Sequence, residues 1–468
     1  MQRWQLTAGL GVIAALAAVL APTLKASVTN APETMEVGPH LTEIELPTSP
    51  VTVEQGNLTL TAGLDHPAVL DGRTQDRLLV ITVGADDLDE GLDRPVNVAV
   101  VMDRSGSMQA KGKMEYAKTA ARELVESLDA DDRFSLVTFS DRAELVVASQ
   151  TISDSAYLLR TINGVREGGG TNLYEGLRSG LTQVRSYSGD DQVNRVIVLS
   201  DGKANVGVTS ASSLSSLAGQ YNDEGIRVST IGLGLDYNED LLAAMADRGG
   251  GTYRFVNDPD VLTTVFREEL HQMNQVAASG VSIDVRLPGA ELVEVYGYDE
   301  QFVDGGFRVW LGDVYGGQTR KIVAKVRVSG VGVGSELTAS TVTLSESGAV
   351  ASYVEPVEVK AQVVASQQTV DMTVNRELAV LGNFAAAGQL ADDAAQAYAL
   401  GDRDRSEELL EASNLVAGEA ASRYDSNRLR QQSAELIVQT EDYQAEPSSD
   451  EGRYAVKKNK EANRGWYY

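Results

Sequence analysis

Asp103-Arg104-Ser105-Gly106-Ser107-Met108 is the stretch on which the interpretation of this chain turns. It closes an apolar run, Val96-Asn97-Val98-Ala99-Val100-Val101-Met102, whose length and β-branched content predict a buried strand. An amphipathic helical pattern follows from about Met114 to Leu128. An Asp-x-Ser-x-Ser loop between strand and helix sets one carboxylate and two hydroxyls around a single point. All are hard oxygens, the donors that Mg²⁺ takes, six at roughly 2.0–2.1 Å with some supplied by water or ligand.

Two later segments can close the same site. Gly168-Gly169-Gly170-Thr171-Asn172-Leu173 precedes a helix and offers the Thr171 hydroxyl. Val196-Ile197-Val198-Leu199-Ser200-Asp201-Gly202 is a second buried-strand run that ends in a carboxylate, Asp201. In open α/β sheets, ligand sites form beyond the carboxyl ends of the strands, where the strand order reverses. Three oxygen-bearing loops at that edge make a metal site with one face open.

With these three motifs in order, the chain resembles a von Willebrand factor A domain carrying a complete metal-ion-dependent adhesion site. The resemblance covers about Arg94 to Gln275, and includes Ser-Asp-Gly-x-x-Asn-x-Gly from Ser200 to Gly207. It implies direct coordination by Ser105 and Ser107. Thr171 would bind directly or through water, and Asp103 and Asp201 directly or as acceptors of hydrogen bonds from the ion's other ligands. The implied ion is Mg²⁺, or Mn²⁺ or Ca²⁺. Neutral hydroxyls leave a divalent ion much of its charge, so it seeks one more anionic oxygen, and a protein partner presenting an Asp or Glu carboxylate supplies it. Taken singly, Ser105 and Ser107 read as helix caps and Asp201 as a turn residue. Their joint occurrence points to metal.

Composition bounds the partners. A formal net charge of −27 repels phosphate backbones, so nucleic-acid binding is not expected. With no cysteine there is neither a disulfide nor a thiol nucleophile. Leu6 to Ala21 is a weakly apolar run after Arg3, short for a membrane span and suited to an export signal. It ends in cleavage after Ala26 or remains as an N-terminal membrane anchor. Either way the body is expected outside the cytoplasm: periplasmic, at the cell surface, or secreted.

The expected organisation is a signal or anchor over 1–26, a Pro-rich linker over 27–50 and strands over 51–93. A doubly wound, mostly parallel α/β domain follows over 94–275, in which helices alternate with buried strands. Period-two alternation over 276–366, as in Val281, Ile283, Val285 and Leu287, predicts an antiparallel β-sandwich. Too few strands precede the α/β domain to bury a core alone, so they are expected to join that sandwich, with the α/β domain inserted into it. This plan is similar to bacterial exported A-domain proteins related to inter-α-trypsin-inhibitor heavy chains. Residues 367–440 are expected to form a helical hairpin region, and 441–468 a disordered tail.

Other motifs fail. Gly168-Gly169-Gly170-Thr171 lacks the Gly-Lys-Ser/Thr of a P-loop, and His40, His66 and His271 accompany no Gly-x-Ser-x-Gly elbow. No catalytic residue is expected. The chain is read as a non-enzymatic, metal-dependent adhesion or protein-binding protein. The alternative is a scaffold or assembly subunit of a cell-envelope complex.

Overall fold

The computed structural model describes residues 50–87, 94–189, 192–273, 275–346 and 356–466. The expected signal, and the expected linker except Pro50, lie outside these residues. Four strands come first: β1 (Val51–Gln55), β2 (Leu58–Leu64), β3 (Ala68–Leu70) and β4 (Thr74–Ala85). The α/β domain follows with β5 (Val96–Asp103), β6 (Arg133–Phe139), β7 (Ala143–Thr151), β8 (Val193–Ser200), β9 (Ile226–Leu233) and β10 (Gly250–Val256). Its helices are α1 (Lys113–Ser127), α2 (Ser155–Asn163), α3 (Leu173–Arg185), α4 (Ala211–Asn222), α5 (Glu239–Arg248) and α6 (Leu262–Met273).

The strands order as β10-β9-β8-β5-β6-β7, parallel except for the edge strand β7. Every residue of β5 is buried because helices cover both faces. Val98, Val100 and Met102 pack with Met114 and Leu124 of α1 and Phe266 of α6. Ala99 and Val101 pack with Leu177 and Leu181 of α3 and Leu241 of α5. The chain moves from β5 outward to β6, then crosses back to β8, so the order reverses between β5 and β8. Helix α3 can press on this seam because of its glycines: a Cβ at Gly180 would stand 2.3 Å from the Val101 side chain.

The second body is the sandwich. Its later strands are β11 (Val276–Arg286), β12 (Ala290–Tyr296), β13 (Glu300–Val303), β14 (Gly306–Tyr315), β15 (Thr319–Ser329), β16 (Glu336–Ser345) and β17 (Val357–Val364). One sheet runs β1-β2-β4-β15-β12 and the other β13-β14-β11-β16-β17-β3. Strand β4 pairs antiparallel with β15 from Thr74 opposite Ser329 to Gly84 opposite Thr319. The strands before the α/β domain therefore complete the sheets formed after it, and the α/β domain is an insertion. Ile81, Ile283, Ile322 and Val359 share the one core between the sheets.

A buried ionic cluster joins the two bodies. Asp313 of β14 accepts from Arg227 Nε at 2.7 Å and from Arg195 at 3.2 Å, and the Gly280 amide donates to it at 3.2 Å. Arg195, fully buried on β8, also donates to the Tyr315 hydroxyl at 3.2 Å and stands 3.7 Å from Glu269 of α6. Burial opposes the charge, but Tyr315, Asp313 and Glu269 hold the guanidinium protonated. Such a cluster tolerates few alternative arrangements, because losing one member strands another charge in the interior.

The C-terminal region differs from its expectation. After α7 (Gln367–Met372) the expected hairpin is formed by α8 (Arg376–Ala399) and α9 (Arg403–Arg423), and α10 (Asn427–Asp442) and α11 (Asp450–Arg464) extend it to a four-helix array. Ala387, Ala391, Ala394, Ala417 and Ala421 let α8 and α9 approach closely, and Val80, Tyr296 and Val323 of the sandwich enter the same core. The expected disorder over 441–468 is overturned by α11. Arg453, Lys457, Lys460 and Arg464 recur at helical spacing and so form one cationic face. Arg453 donates to Asp236 at 2.7 Å, Lys457 to Glu239 at 2.6 Å and to the Tyr237 carbonyl at 3.1 Å. Lys460 pairs with Asp240, and Arg464 with Asp247. Among the described residues no helix is long and apolar enough to cross a membrane.

Lys457 is 2% exposed and sits 3.9 Å over the Tyr237 ring, and its loss leaves the partly exposed Glu239 carboxylate with the more distant Lys460, 4.0 Å away. Lys457→Met is expected to weaken the docking of α11 by about 2 kcal/mol. Amide hydrogen exchange over 450–464 should then quicken roughly 30-fold while the α/β sheet is unaffected.

Candidate metal centre

Strand pairing brings the two carboxylates together. Met102 of β5 lies opposite Leu199 of β8, so Asp103 ends its strand level with Ser200, and Asp201 follows as the next residue where the strand order reverses. Both are fully buried. Asp103 Oδ1 accepts from the Ser105 amide at 2.8 Å, and Oδ2 from the Ser200 hydroxyl at 2.7 Å. Asp201 Oδ1 accepts from the Ser107 hydroxyl at 2.7 Å, and the Ser105 and Ser107 hydroxyls are 3.0 Å apart. Neither serine caps a helix through its side chain: the turn over Gly106–Gly112 has no side-chain cap at Ser105, and α1 starts after Gly112.

Thr171 reaches the same point from the third loop. A Cβ on Gly202 would lie 3.4 Å from Thr171 Oγ1 and 3.6 Å from Ser107 Oγ, so the two hydroxyls flank one spot. The structure thus brings all five expected residues, Asp103, Ser105, Ser107, Thr171 and Asp201, to one pocket. Ser107 is exposed and gives the pocket its open side.

Residues outside the expected five hold the loops in place. The Thr171 amide donates to Asn205 Oδ1 at 2.9 Å, and the Asn205 amide donates to the Thr171 carbonyl at 3.1 Å. Asp141 takes the Gly170 amide at 2.9 Å. Gly169, at φ +91°, could not carry a Cβ, which would stand 2.8 Å from Asp141 Oδ2. Gly106 donates to the Gly169 carbonyl at 3.1 Å, tying the first loop to the third. Asn172 caps α3 by accepting from the Glu175 amide. Asn205 was visible in the Ser-Asp-Gly-x-x-Asn-x-Gly motif without a role. Ser200 opens that same motif, whereas Asp141 and Lys113 carry no signal of their own.

Lys113 is the unexpected member. As the first residue of α1, its side chain tilts back past the helix start, and Nζ donates to Asp201 Oδ2 at 2.7 Å. It is 5% exposed.

The donor set suits a hard divalent ion. Three hydroxyls and two carboxylates are oxygen ligands throughout, and no thiol or imidazole competes. Among the described residues no group of three or more His, Cys, Asp or Glu assembles, so the pocket's distinction lies in its hydroxyls. Burial pushes the Asp103 carboxyl up to about 6, against the lowering effect of its bonds from Ser105 and Ser200, and the nearby Asp201 adds to the rise. A cation in the pocket would relieve that cost.

Residues 97–268 match the family model described as the von Willebrand factor type A domain. An uncharacterised protein of Synechocystis is 31% identical over 224 residues, which are 47% of this chain and 52% of that protein. Mouse inter-alpha-trypsin inhibitor heavy chain H2 is 31% identical over 174 residues, 35% of this chain and 18% of that one. The chain thus spans about half or less of the length of these curated relatives. A solved von Willebrand factor type A protein from Catenulispora acidiphila superposes with a TM-score of 0.62 at 19% identity, covering 81% of this chain and 91% of that one. The ArnB paralog VWA2 from Sulfolobus acidocaldarius gives 0.57 at 17% identity, covering 88% and 99%. At these identities the structural likeness is one of fold.

Because the folded-state pKa of Asp103 lies above the usual 3.8, its ionised form costs stability above pH ~6. The cost fades as pH falls through that range and is gone below the unfolded value. In chelator at pH 7, Asp103→Asn is expected to stabilise the protein by about 1–3 kcal/mol. Calorimetry should show the gain shrinking as pH falls from 6 to 4.

Proposed function

The chain carries a von Willebrand factor type A domain at residues 97–268, and from that premise we propose that it binds a partner protein through a divalent cation held by Ser105, Ser107, Thr171, Asp103 and Asp201. The convergence of three hydroxyls and two buried carboxylates on one open pocket carries this reading. The ion is Mg²⁺, with Mn²⁺ and Ca²⁺ as competitors for the same oxygens. Its role is binding. Hydroxyl ligands neutralise little of its charge, so a carboxylate from the partner completes its shell and no bond is broken.

The pocket's residues divide the work. Asp103 and Asp201 supply the negative charge, Ser105 and Ser107 line the floor and the open rim, and Asn205 and Asp141 keep the Thr171 loop closed over the far side. Site and partner meet where Ser107 reaches solvent. We also place the protein outside the cytoplasm, on the strength of the Leu6–Ala21 run and its small-residue cleavage site.

The test is affinity capture from the native envelope with the full chain as bait, in Mg²⁺ and in chelator. Metal-bridged binding predicts partner recovery in Mg²⁺, its loss in chelator, and a loss of at least about tenfold in Ser107→Ala. Equal recovery in both buffers would mark the protein as a scaffold or assembly subunit instead. Titration of the purified chain with Mn²⁺ should show affinity falling as pH drops below about 6, where a proton competes for Asp103.

A further inference from the structure

Asp201 is bonded on both sides, and the two bonds differ in kind. Oδ1 takes a neutral hydroxyl from Ser107, on the side of the proposed ion. Oδ2 takes the ammonium of Lys113 at 2.7 Å. The Lys113 Nζ lies 3.2 Å from where a Cβ on Gly234 would stand, so it is wedged toward the carboxyl end of β9. Its setting is unfavourable for a cation. Lys113 is 5% exposed and opens helix α1, whose positive dipole end repels it. Among the described residues Asp201 is its salt-bridge partner, and its charge is also felt by Asp236 in the loop after β9.

The charges have a functional meaning. Asp103 and Asp201 together carry −2, and Lys113 brings the pocket to −1. A divalent ion then leaves a net +1, where without Lys113 the loaded pocket would be neutral. A pocket with surplus positive charge holds its cation less tightly and attracts an anion more strongly.

Resting on the cation reading above, we propose that Lys113 is a specificity-setting residue that couples the two binding events, so that ion and acidic ligand each bind weakly alone and tightly together. The lysine need touch neither the ion nor the ligand. It acts through its own positive charge, which offsets the negative charge of Asp201 that the ion would otherwise meet. Coupling of this sort is reciprocal: whatever factor the ligand contributes to ion binding, the ion contributes to ligand binding. A partner meeting the empty protein would then be passed over, and an ion without a partner would readily leave.

Mn²⁺ titration of the full chain, with and without saturating acetate as the probe carboxylate, tests this. Lys113→Gln keeps a hydrogen-bond donor for Asp201 but removes the charge, and Lys113→Arg keeps both. In the wild type and in Lys113→Arg, acetate is expected to tighten Mn²⁺ binding several-fold. Lys113→Gln is expected to bind Mn²⁺ alone about tenfold more tightly, with little further gain from acetate. Equal Mn²⁺ affinity and equal acetate enhancement in Lys113→Gln and wild type would overturn the proposal and leave Lys113 a neutraliser of a buried carboxylate. Absence of any acetate effect in the wild type would overturn it even if Lys113→Gln fails to fold. No Mn²⁺ binding by the folded wild type would instead sink the cation reading itself.

Discussion

Two carboxylates buried at the ends of adjacent parallel strands are the constraint around which the rest is arranged. Removing a charged group from water is costly unless each of its oxygens finds a donor. Here all four do: Asp103 is served by the Ser105 amide and the Ser200 hydroxyl, and Asp201 by the Ser107 hydroxyl and the Lys113 ammonium. Three of these donors are neutral: Ser105 and Ser107 follow β5, and Ser200 ends β8. The pocket therefore stays polarisable by an added cation rather than sealed by fixed counter-charges. The register of β5 against β8 does the alignment, since it brings the end of one strand level with Ser200 and so sets Asp103 against the Ser200 hydroxyl.

The α/β half of the fold and the pocket were legible because their signals are local and dense. Val96 to Met102 is apolar at every position but Asn97, which a two-faced parallel strand requires, and Asp-x-Ser-x-Ser follows directly. The alternation in Val281–Leu287 marks a sandwich strand for the same kind of reason. Less legible were features that depend on distant partners. Helix α11 has four cations at helical spacing, but it contains Asn459 and Asn463 and little apolar surface, so its pattern looks solvated until Asp236, Glu239, Asp240 and Asp247 are brought opposite. Lys113 is one lysine among many in the sequence. Only the folded chain shows that it is buried against Asp201, 88 positions away. Helix α2 is only nine residues long with two buried side chains, too short for a helical period to repeat often enough to stand out.

The accessory parts are joined to the pocket by contacts. The loop after β9 touches Lys113 at Gly234, and two residues on, Asp236 is held below the usual carboxylate range by Arg453 of α11. The loop beside the pocket is thus clamped by a helix that packs, on its other side, in the core shared by α8, α10 and the sandwich. Helices that looked like an appendage instead brace one wall of the site.

The insertion of the α/β domain has a mechanical corollary. Its entry at Arg94 and its exit at Val276 border one cavity at the amino ends of the strands, next to Asp313 and Arg227, whereas the pocket opens at the carboxyl ends. If a partner is held at the pocket as proposed above, a pull between it and the sandwich enters at one end of the parallel sheet and leaves at the other. The Arg195–Asp313–Arg227 cluster lies at that second end and fastens the sheet to β14 beside the covalent connections.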